Sequence, residues 1–243
     1  MTNTAPFATI FIFSLALILQ LTFVLMPAWA QEETRPKKGT LEIGFGVSTL
    51  GPTWQMATLM KKYNLDGSHM TIFLNKRQYP RYQWLGSEFH LAYFRQIAEG
   101  RRLGITFNSL ERGAVSGYSA AGNGLLKIRF SQGSIALLYR HQLDKQFDFE
   151  AGPAIVFNDA TTDTNEDDSQ DYTAVSPGLK LGFNMKILDL KKSNLKSDIK
   201  FIYSGSHTMG PFSANSDYGP ITIPKKKLWF NFLRIGLIWG ISI

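Results

Sequence analysis

Cysteine is missing from the chain, and its absence removes several kinds of chemistry at once. With no cysteine among 243 residues, the protein has no disulfide, no thiol nucleophile and no cysteine-ligated zinc. An N-terminal cysteine that could carry a lipid anchor is excluded for the same reason. An oxidising compartment remains allowed, because a protein without disulfides can occur there too.

Charge is missing from the first 30 residues, which contain no Asp, Glu, Lys or Arg. An apolar run from Phe7 to Met26 leads to Ala28-Trp29-Ala30, the small-x-small pattern of a cleavage site. We expect residues 1–30 to be a secretory signal peptide and residues 31–38 to be a polar N-terminal segment. The alternative is a retained membrane anchor, because the run has no basic residue before it and approaches the ~20 residues that cross a bilayer.

The net charge of +7 therefore belongs entirely to the rest of the chain. Such an excess indicates anionic partners, either nucleic acid or the phosphates of lipid headgroups. No module of arginines and aromatics typical of nucleic-acid binding is visible, so lipid phosphates are favoured.

Apolar and polar residues alternate with the period of two that is typical of strands. In LKLGFNMKI, for example, Leu179, Leu181 and Phe183 share one face with Met185 and Ile187. The sequence predicts eight strands, at residues 39–50, 84–97, 102–117, 124–141, 146–158, 172–188, 197–207 and 228–243.

One predicted strand changes the phase of its alternation. In LLKIRFSQGSIALLY the apolar set passes from Ile128 and Phe130 to Ile135, Leu137 and Tyr139. One extra residue would produce this change, so we predict a β-bulge at Gln132-Gly133-Ser134.

Short and long connections alternate between the predicted strands. The short ones lie at residues 98–100, around Asp144 and in LDLKKSNLK, and the others, mostly long, at 51–83, 118–123, 159–171 and 208–227. Short connections suit antiparallel hairpins and cannot hold the crossovers of a parallel sheet. This arrangement is typical of outer-membrane barrels with periplasmic turns and extracellular loops. We expect residues 39–243 to form an antiparallel up-and-down transmembrane β-barrel.

The competing fold is a soluble periplasmic ligand-binding barrel of lipocalin type, which hides its apolar side chains inside. The polar face here carries charges of both signs interleaved with glycine, which suits the crowded lumen of a narrow barrel. The predicted lumen charges are Glu42, Glu88, Arg102, Lys127, Arg129, Asp148, Glu150, Lys180, Lys186, Asp198, Lys200 and Arg234.

Trp229 and Trp239 provide a test of length. Ten residues separate them, which is about 33 Å along a strand at ~3.3 Å per residue. A strand tilt of ~40° reduces this to about 25 Å, the height of the apolar band that aromatic girdles flank in such barrels. Trp84, Tyr118, Tyr139, Tyr172 and Tyr203 are predicted to lie at the same two interfaces.

With these features the chain resembles small bacterial outer-membrane β-barrels, the eight-stranded class that includes OmpX-type, OmpW-type and OmpA-type proteins. The resemblance covers essentially all of residues 39–243 and depends on pattern, without a diagnostic motif. It implies residence in the outer membrane and insertion by the barrel-assembly machinery. Such proteins usually end on an aromatic residue, where this chain has Ile243.

One helix is predicted, in the first extracellular loop, over GPTWQMATLMKKYNLDG. Pro52 suits its first turn, and Asp66-Gly67 would end it. Met56, Leu59, Met60 and Tyr63 then lie on one side of the helix. That side either caps the mouth of the barrel or binds the outer leaflet or a partner.

The remaining candidate sites are weaker. Asp163, Asn165 and Asp167 match the opening of a calcium loop, but Asp168 replaces its glycine and Ala174 its bidentate glutamate. We therefore expect a solvated acidic loop and no metal.

Lys225, Lys226 and Lys227 precede Trp229, where they could contact lipopolysaccharide phosphates. Ser204, Ser206 and His207 are the one suggestive catalytic cluster, yet neighbours on a strand point to opposite faces. The sequence thus predicts a non-enzymatic protein without cofactor, with an envelope-structural or cell-surface interaction role. A narrow channel for small solutes is the alternative, and any surface partner or small hydrophobic ligand stays open.

Overall fold

The computed structural model describes residues 39–63, 65–66, 69–70, 81–83, 85–119, 125–164, 169–214 and 221–243. The predicted signal peptide, the segment 31–38 and Trp84 lie outside the described residues. In chain order the elements are β1 (Gly39–Leu50), α1 (Gly51–Lys62), β2 (Leu65–Asp66), β3 (His69–Met70), β4 (Arg81–Gln83), β5 (Leu85–Ala98), β6 (Arg101–Ser119), β7 (Leu125–Gln142), β8 (Phe147–Thr164), β9 (Gln170–Asp189), β10 (Ser193–Met209), β11 (Phe212–Ala214), β12 (Ile221–Ile223) and β13 (Lys226–Ser242).

Eight long strands form a closed antiparallel barrel, as the alternation predicts. Each pairs with both neighbours in the order β1-β5-β6-β7-β8-β9-β10-β13, and β13 returns to β1. The closing pair runs from Thr40 opposite Ser242 to Leu50 opposite Phe232. No helix in the described ranges is long and apolar enough to cross a bilayer.

The two ends of the barrel differ. One end, called here the turn end, carries Gly39, Ile243 and the three short connections; Gly39 and Ile243 exchange backbone hydrogen bonds with N to O distances of 3.0 and 2.9 Å. The opposite end, called the loop end, carries α1 and the hairpin of β11 and β12. Strands β6 to β9 are the longest and extend furthest toward the loop end.

The apolar side chains face outward and the charged ones inward. Most even-numbered residues of the long strands are buried in the interior, whereas odd-numbered apolar residues such as Phe45, Ile199, Ile235 and Leu237 are exposed. A soluble lipocalin-type barrel has the reverse arrangement. The structure therefore confirms the predicted orientation.

The predicted bulge at Gln132-Gly133-Ser134 is wrong. Strand β7 pairs with β8 without a shift through these residues, and the irregularity instead lies in β6, between Leu110 and Gly113. Ile128 and Phe130 point inward with no exposed surface. The apolar residues change sides because the interior itself changes along the barrel, from charged near the turn end to apolar near the loop end.

Helix α1 is part of that apolar interior. Pro52 lies in its first turn, as predicted, but the helix ends at Lys62, before the predicted stop at Asp66-Gly67. Met56 and Met60 are 0% exposed and belong to the core cluster that also contains Phe130, Phe230 and Phe232. Leu59 and Tyr63 pack against the same cluster. Of the two predicted roles for this face, the structure has the cap over the barrel mouth.

A true bulge interrupts β10. The pairing with β13 shifts between Tyr203 and Ser206, and Gly205 has a φ of +76°. After the bulge the odd-numbered Met209 is buried. The hairpin of β11 and β12 follows, with Phe212 and Ile223 buried in the same core cluster, so it completes the cap beside α1.

Candidate functional site

Arg140 is the centre of a group of charged side chains in the half of the barrel interior nearer the turn end. Its guanidinium donates two hydrogen bonds to the two carboxylate oxygens of Glu42, at 2.6 and 2.8 Å. It also donates to Glu150 Oε2 from Nε and Nη2, at 3.0 and 2.7 Å. The same group lies 3.6 Å from the centre of the Phe94 ring, a cation–π geometry. One side chain therefore contacts three others, on the neighbouring strand β8 and, farther around the barrel, on β1 and β5.

Lysines extend this cluster on the β10 side. Lys196 Nζ lies 3.2 Å from Glu42 Oε1 and 3.0 Å from Asp148 Oδ2. Lys200 Nζ lies 2.8 Å from Glu150 Oε1 and 3.9 Å from Asp198 Oδ2. Both carboxylates that bind Arg140 thus have a second cationic partner.

A third group continues from Asp198. Arg234 Nη1 lies 3.4 Å from Asp198 Oδ2, and its Nε lies 2.8 Å from Glu88 Oε2. Asn108 donates to Glu88 and accepts from Lys180, whose Nζ also donates to Thr106 Oγ1 at 2.9 Å. The contacts form a continuous chain from Lys180 to Asp148, and all eight barrel strands contribute to it.

The charges of this lumen network balance. Its bases are Arg140, Lys180, Lys196, Lys200 and Arg234, and its acids are Glu42, Glu88, Asp148, Glu150 and Asp198. Ion pairs within a low-dielectric interior offset the desolvation of each charge only when nearly every charge has a partner. The balanced network satisfies that condition and fills the lumen with side chains.

Some predicted lumen charges lie elsewhere. Lys127 and Arg129 have odd numbers in β7 and therefore face outward, where Arg129 pairs with Asp163. Lys186 pairs with Asp189 at the turn end, 3.0 Å apart. Arg102 is on the inward side at that same end and is half-buried.

Two members of the network, Arg140 and Lys196, are absent from the predicted set. Continuing the alternation of Leu137 and Tyr139 would have assigned Arg140 to the inward face. Lys196 lies one residue before the predicted start of its strand, so the predicted alternation does not include it.

A band of neutral polar groups separates the network from the apolar cap. Gln132 donates to Asn158 at 2.6 Å, and Asn158 donates to Ser204 Oγ at 3.2 Å. Ser204 donates in turn to the Phe230 carbonyl at 3.1 Å. These contacts link β7, β8, β10 and β13 at the level of the band.

His207 and Ser176 form a contact that sequence reasoning missed. His207 Nε2 lies 3.1 Å from Ser176 Oγ, although 31 residues separate them. Ser176 donates its own proton to the Ser204 carbonyl at 3.1 Å. The Ser204 carbonyl and His207 Nε2 therefore compete for the single hydroxyl proton of Ser176, which a serine nucleophile would have to give to its base. The bulge at Gly205 turns His207 inward, and no local sequence signal predicts this.

The outward aromatics lie near both ends of the apolar wall. Trp229 and Trp239 are 52% and 42% exposed, and Tyr203 stacks on Trp229 with ring centres 6.3 Å apart. Tyr139 is exposed nearer the turn end. Tyr172 differs from the prediction: it packs on Phe212 with ring centres 5.1 Å apart, and its hydroxyl donates to the Pro211 carbonyl.

Other predicted aromatics and ligands are only partly described. Trp84, Asn165 and Asp167 lie outside the described residues, and only the backbone of Tyr118 is described. Among the residues that the structure does describe, no three His, Asp or Glu side chains are grouped as a metal site would require. Asp163, the described member of the calcium candidate, pairs with Arg129.

Lysines flank the outer aromatic residues. Lys225 and Lys227 are exposed and Lys226 is half-buried, just before Trp229 in β13. Lys227 has an odd number and shares the outward face with Trp229. The side chains therefore present positive charge next to the aromatic girdle.

No protein-family profile matches this chain, and no curated protein matches it in sequence. Solved structures match it in fold. Ail, the attachment invasion locus protein of Yersinia pestis, is 10% identical with a TM-score of 0.48, over 85% of this chain and 100% of that one. The outer membrane protein OprG from Pseudomonas aeruginosa is 12% identical with a TM-score of 0.45, over 85% and 97%. The outer membrane protease OmpT from Escherichia coli is 12% identical with a TM-score of 0.40, over 66% and 64%.

Proposed function

We propose that this protein is a non-conducting, non-enzymatic barrel of the outer membrane with an envelope-structural or cell-surface interaction role. The observation that supports this most strongly is the balanced lumen network, because it joins all eight strands across the space a solute would need. In this proposal the signal peptide is removed near Ala30, the barrel-assembly machinery inserts the barrel, and the turn end faces the periplasm.

Residence in a membrane follows from the inverted polarity of the wall. Exposed apolar side chains on adjacent strands, such as Val47, Ile199 and Ile235, would form a large hydrophobic surface in water. The same surface meets hydrocarbon favourably in a bilayer, and Trp229 and Trp239 are spaced for the two interfaces of its apolar band.

Cell fractionation combined with heat-modifiable gel mobility tests the location. We expect the protein in the outer-membrane fraction, with a faster-migrating folded form that disappears on boiling. A known periplasmic protein followed in the same fractions is the control. Recovery in the soluble periplasmic fraction would contradict the proposal.

Planar-bilayer recordings test the closed lumen. We expect a flat trace from the wild-type protein, because Arg140, Lys200 and Arg234 each lie in ion pairs that occupy the lumen. A conducting porin inserted under the same conditions is the positive control. Reproducible single-channel steps from the wild-type protein would support the narrow channel instead.

Contact with lipopolysaccharide is proposed for the lysines beside Trp229. Replacing Lys225 and Lys227 by glutamine should weaken binding to vesicles containing lipopolysaccharide, because two cations are lost near the phosphates. Replacing Lys191 and Lys192, which are exposed in a turn at the opposite end, changes the net charge equally. That control variant should bind as the wild type does, and equal weakening of both would refute a local contact.

The non-enzymatic assignment is tested at His207 and Ser176. If a lipid hydrolase activity were found, Ser176→Ala would have to abolish it for this pair to be responsible. We expect no release of acyl chains from phospholipid or lipopolysaccharide by either the wild type or the variant.

A further inference from the structure

A cleft of about 420 Å³ opens on the outer wall of the barrel beneath α1. Its floor is a row across three adjacent strands, in which Thr49 of β1 and Phe201 of β10 flank Leu233 of β13. Trp54 and Gln55 of α1 lie above this row. All three floor residues have odd numbers, so the cleft is on the lipid-facing side of the wall.

The roof of the cleft is attached firmly to the barrel. Gln55 Nε2 donates to the Trp229 carbonyl and Gln55 Oε1 accepts from the Trp229 N–H, both at 2.9 Å. Gly51 lies against Asn231 so closely that a Cβ on Gly51 would be 1.7 Å from Asn231 Oδ1. The cleft is therefore a built feature of the wall and the helix together.

The lining of the cleft is graded from polar to apolar. Gln55 and Asn231 lie at the level just below Trp229, and Leu233 and Phe201 lie deeper along the strands. The next row toward the turn end, Val47 with Ile235 and Ile199, is exposed and apolar. The cleft is therefore continuous with the apolar surface that faces hydrocarbon.

The position of the cleft, and the change of its lining from polar to apolar, favour an amphipathic molecule as the ligand. The deeper, apolar part of the cleft opens toward hydrocarbon and suits an acyl chain, and the cleft volume is within the roughly 300–1,000 Å³ of small-molecule sites. Lys227 is four residues above Asn231 on the same face, about 13 Å at ~3.3 Å per residue. A molecule with an acyl chain in the cleft would therefore place a headgroup phosphate near exposed Lys225 and Lys227.

We propose that this cleft is a binding site for one acyl chain of lipid A, with a lipid A phosphate at Lys225 and Lys227. Lipid A is the occupant that combines several acyl chains with phosphates in the leaflet that the loop end faces. The inference rests on the proposed outer-membrane location, and it adds a specific site to the general charge contact of the lysines.

Native mass spectrometry of the full-length mature barrel in detergent, with lipid A added, tests the site. We expect the wild type to retain one lipid A molecule at detergent concentrations that remove other lipid. Thr49→Phe fills the cleft and should reduce the retained fraction at least tenfold. Val47→Phe adds the same ring one row below, outside the cleft, and should retain lipid A as the wild type does.

A second cleft variant and a second lipid test the same site. Trp54→Ala removes one side of the cleft, so it should also lower retention even if Thr49→Phe folds poorly. Phosphatidylethanolamine, which carries one phosphate, should be retained at least tenfold less than lipid A. Equal retention by wild type and both cleft variants, or equal retention of the two lipids, would overturn the assignment.

Heat-modifiable mobility, measured on the same samples, separates the two proposals. A barrel that is folded in detergent and recovered from the outer membrane, yet retains no lipid A, contradicts the cleft alone. A protein that partitions into the soluble fraction contradicts the proposed location and the cleft together.

Discussion

Arg140 and Glu42 are 98 residues apart in the sequence and form two parallel hydrogen bonds across the barrel lumen. They belong to β7 and β1, which are not neighbours in the wall, since β5 and β6 lie between them. The pair therefore ties opposite parts of the barrel to each other, independently of the backbone pairing that closes it.

Replacing Arg140 by methionine should destabilise the barrel strongly. Glu42 and Glu150 are buried, and without Arg140 each would keep only one lysine, Lys196 or Lys200, as a cationic partner. Because the lumen network would then lack one positive charge, we expect a cost of about 3–5 kcal/mol. Urea unfolding in lipid vesicles, followed by the loss of heat-modifiable mobility, measures the change. Arg129→Met is the control, because it breaks a half-exposed outward pair with Asp163 and should cost less than about 1 kcal/mol.

Gly236 is expected to tolerate no side chain. A Cβ there would lie 2.5 Å from Arg234 Nη2 and 2.7 Å from the Phe45 carbonyl. Gly236→Val should therefore displace Arg234 from Glu88 and lower the free energy of unfolding by about 1–3 kcal/mol. Gly133→Val is the matched control, since the nearest atoms to its Cβ are 3.9 Å away. Similar unfolding midpoints for the two variants would contradict this role of Gly236.

At Gly205, the backbone conformation alone should determine which substitutions are tolerated. Its φ is +76°, and no atom lies within 4 Å of a Cβ built there. Gly205→Ala should cost about 1–2 kcal/mol, the penalty of an L-residue in the left-handed region. Gly205→Asn should cost less, because asparagine adopts that region more readily. An alanine variant that unfolds at the same urea concentration as the wild type would contradict this prediction. It would mean that the bulge can adopt another φ at this residue.

Truncating Met60 tests the cap. The Met60 side chain projects from α1 into the core cluster and is fully buried, so Met60→Ala should cost about 2–5 kcal/mol through lost contacts and a new cavity. We expect faster proteolysis within residues 51–63 of the refolded protein as the helix loosens. Lys61→Ala changes the exposed neighbour and should leave the cleavage rate unchanged.

The wall of the barrel is predictable from the sequence because lipid imposes one rule on every strand. Most outward positions in the apolar band are apolar, and an alternation such as Leu179, Leu181 and Phe183 therefore identifies both the strand and its orientation. The predicted strands match the eight observed ones closely, although β8 continues to Thr164, beyond the predicted end at residue 158.

The interior follows no such uniform rule, and the wrong predictions mostly concern inward-facing residues. Phe130 and Ile128 are apolar and inward because α1 packs on the loop end of the lumen. In the sequence this appears as an apolar set that changes sides, a pattern that a bulge at Gln132-Gly133-Ser134 would also produce. The contact between His207 and Ser176 depends on a distant strand and on the bulge at Gly205, so no local pattern contains it.

The pairing of β1 with β13 has a consequence for the order of folding. The seam that seals the barrel joins Thr40 to Ser242 and continues to Leu50 and Phe232, so it uses the contacts with the greatest sequence separation. Loop-closure entropy makes such contacts form slowly, and until they form, both edges have backbone groups without partners. Until the seam closes, those edges are open to pairing with other strands, and closure of the barrel removes that hazard.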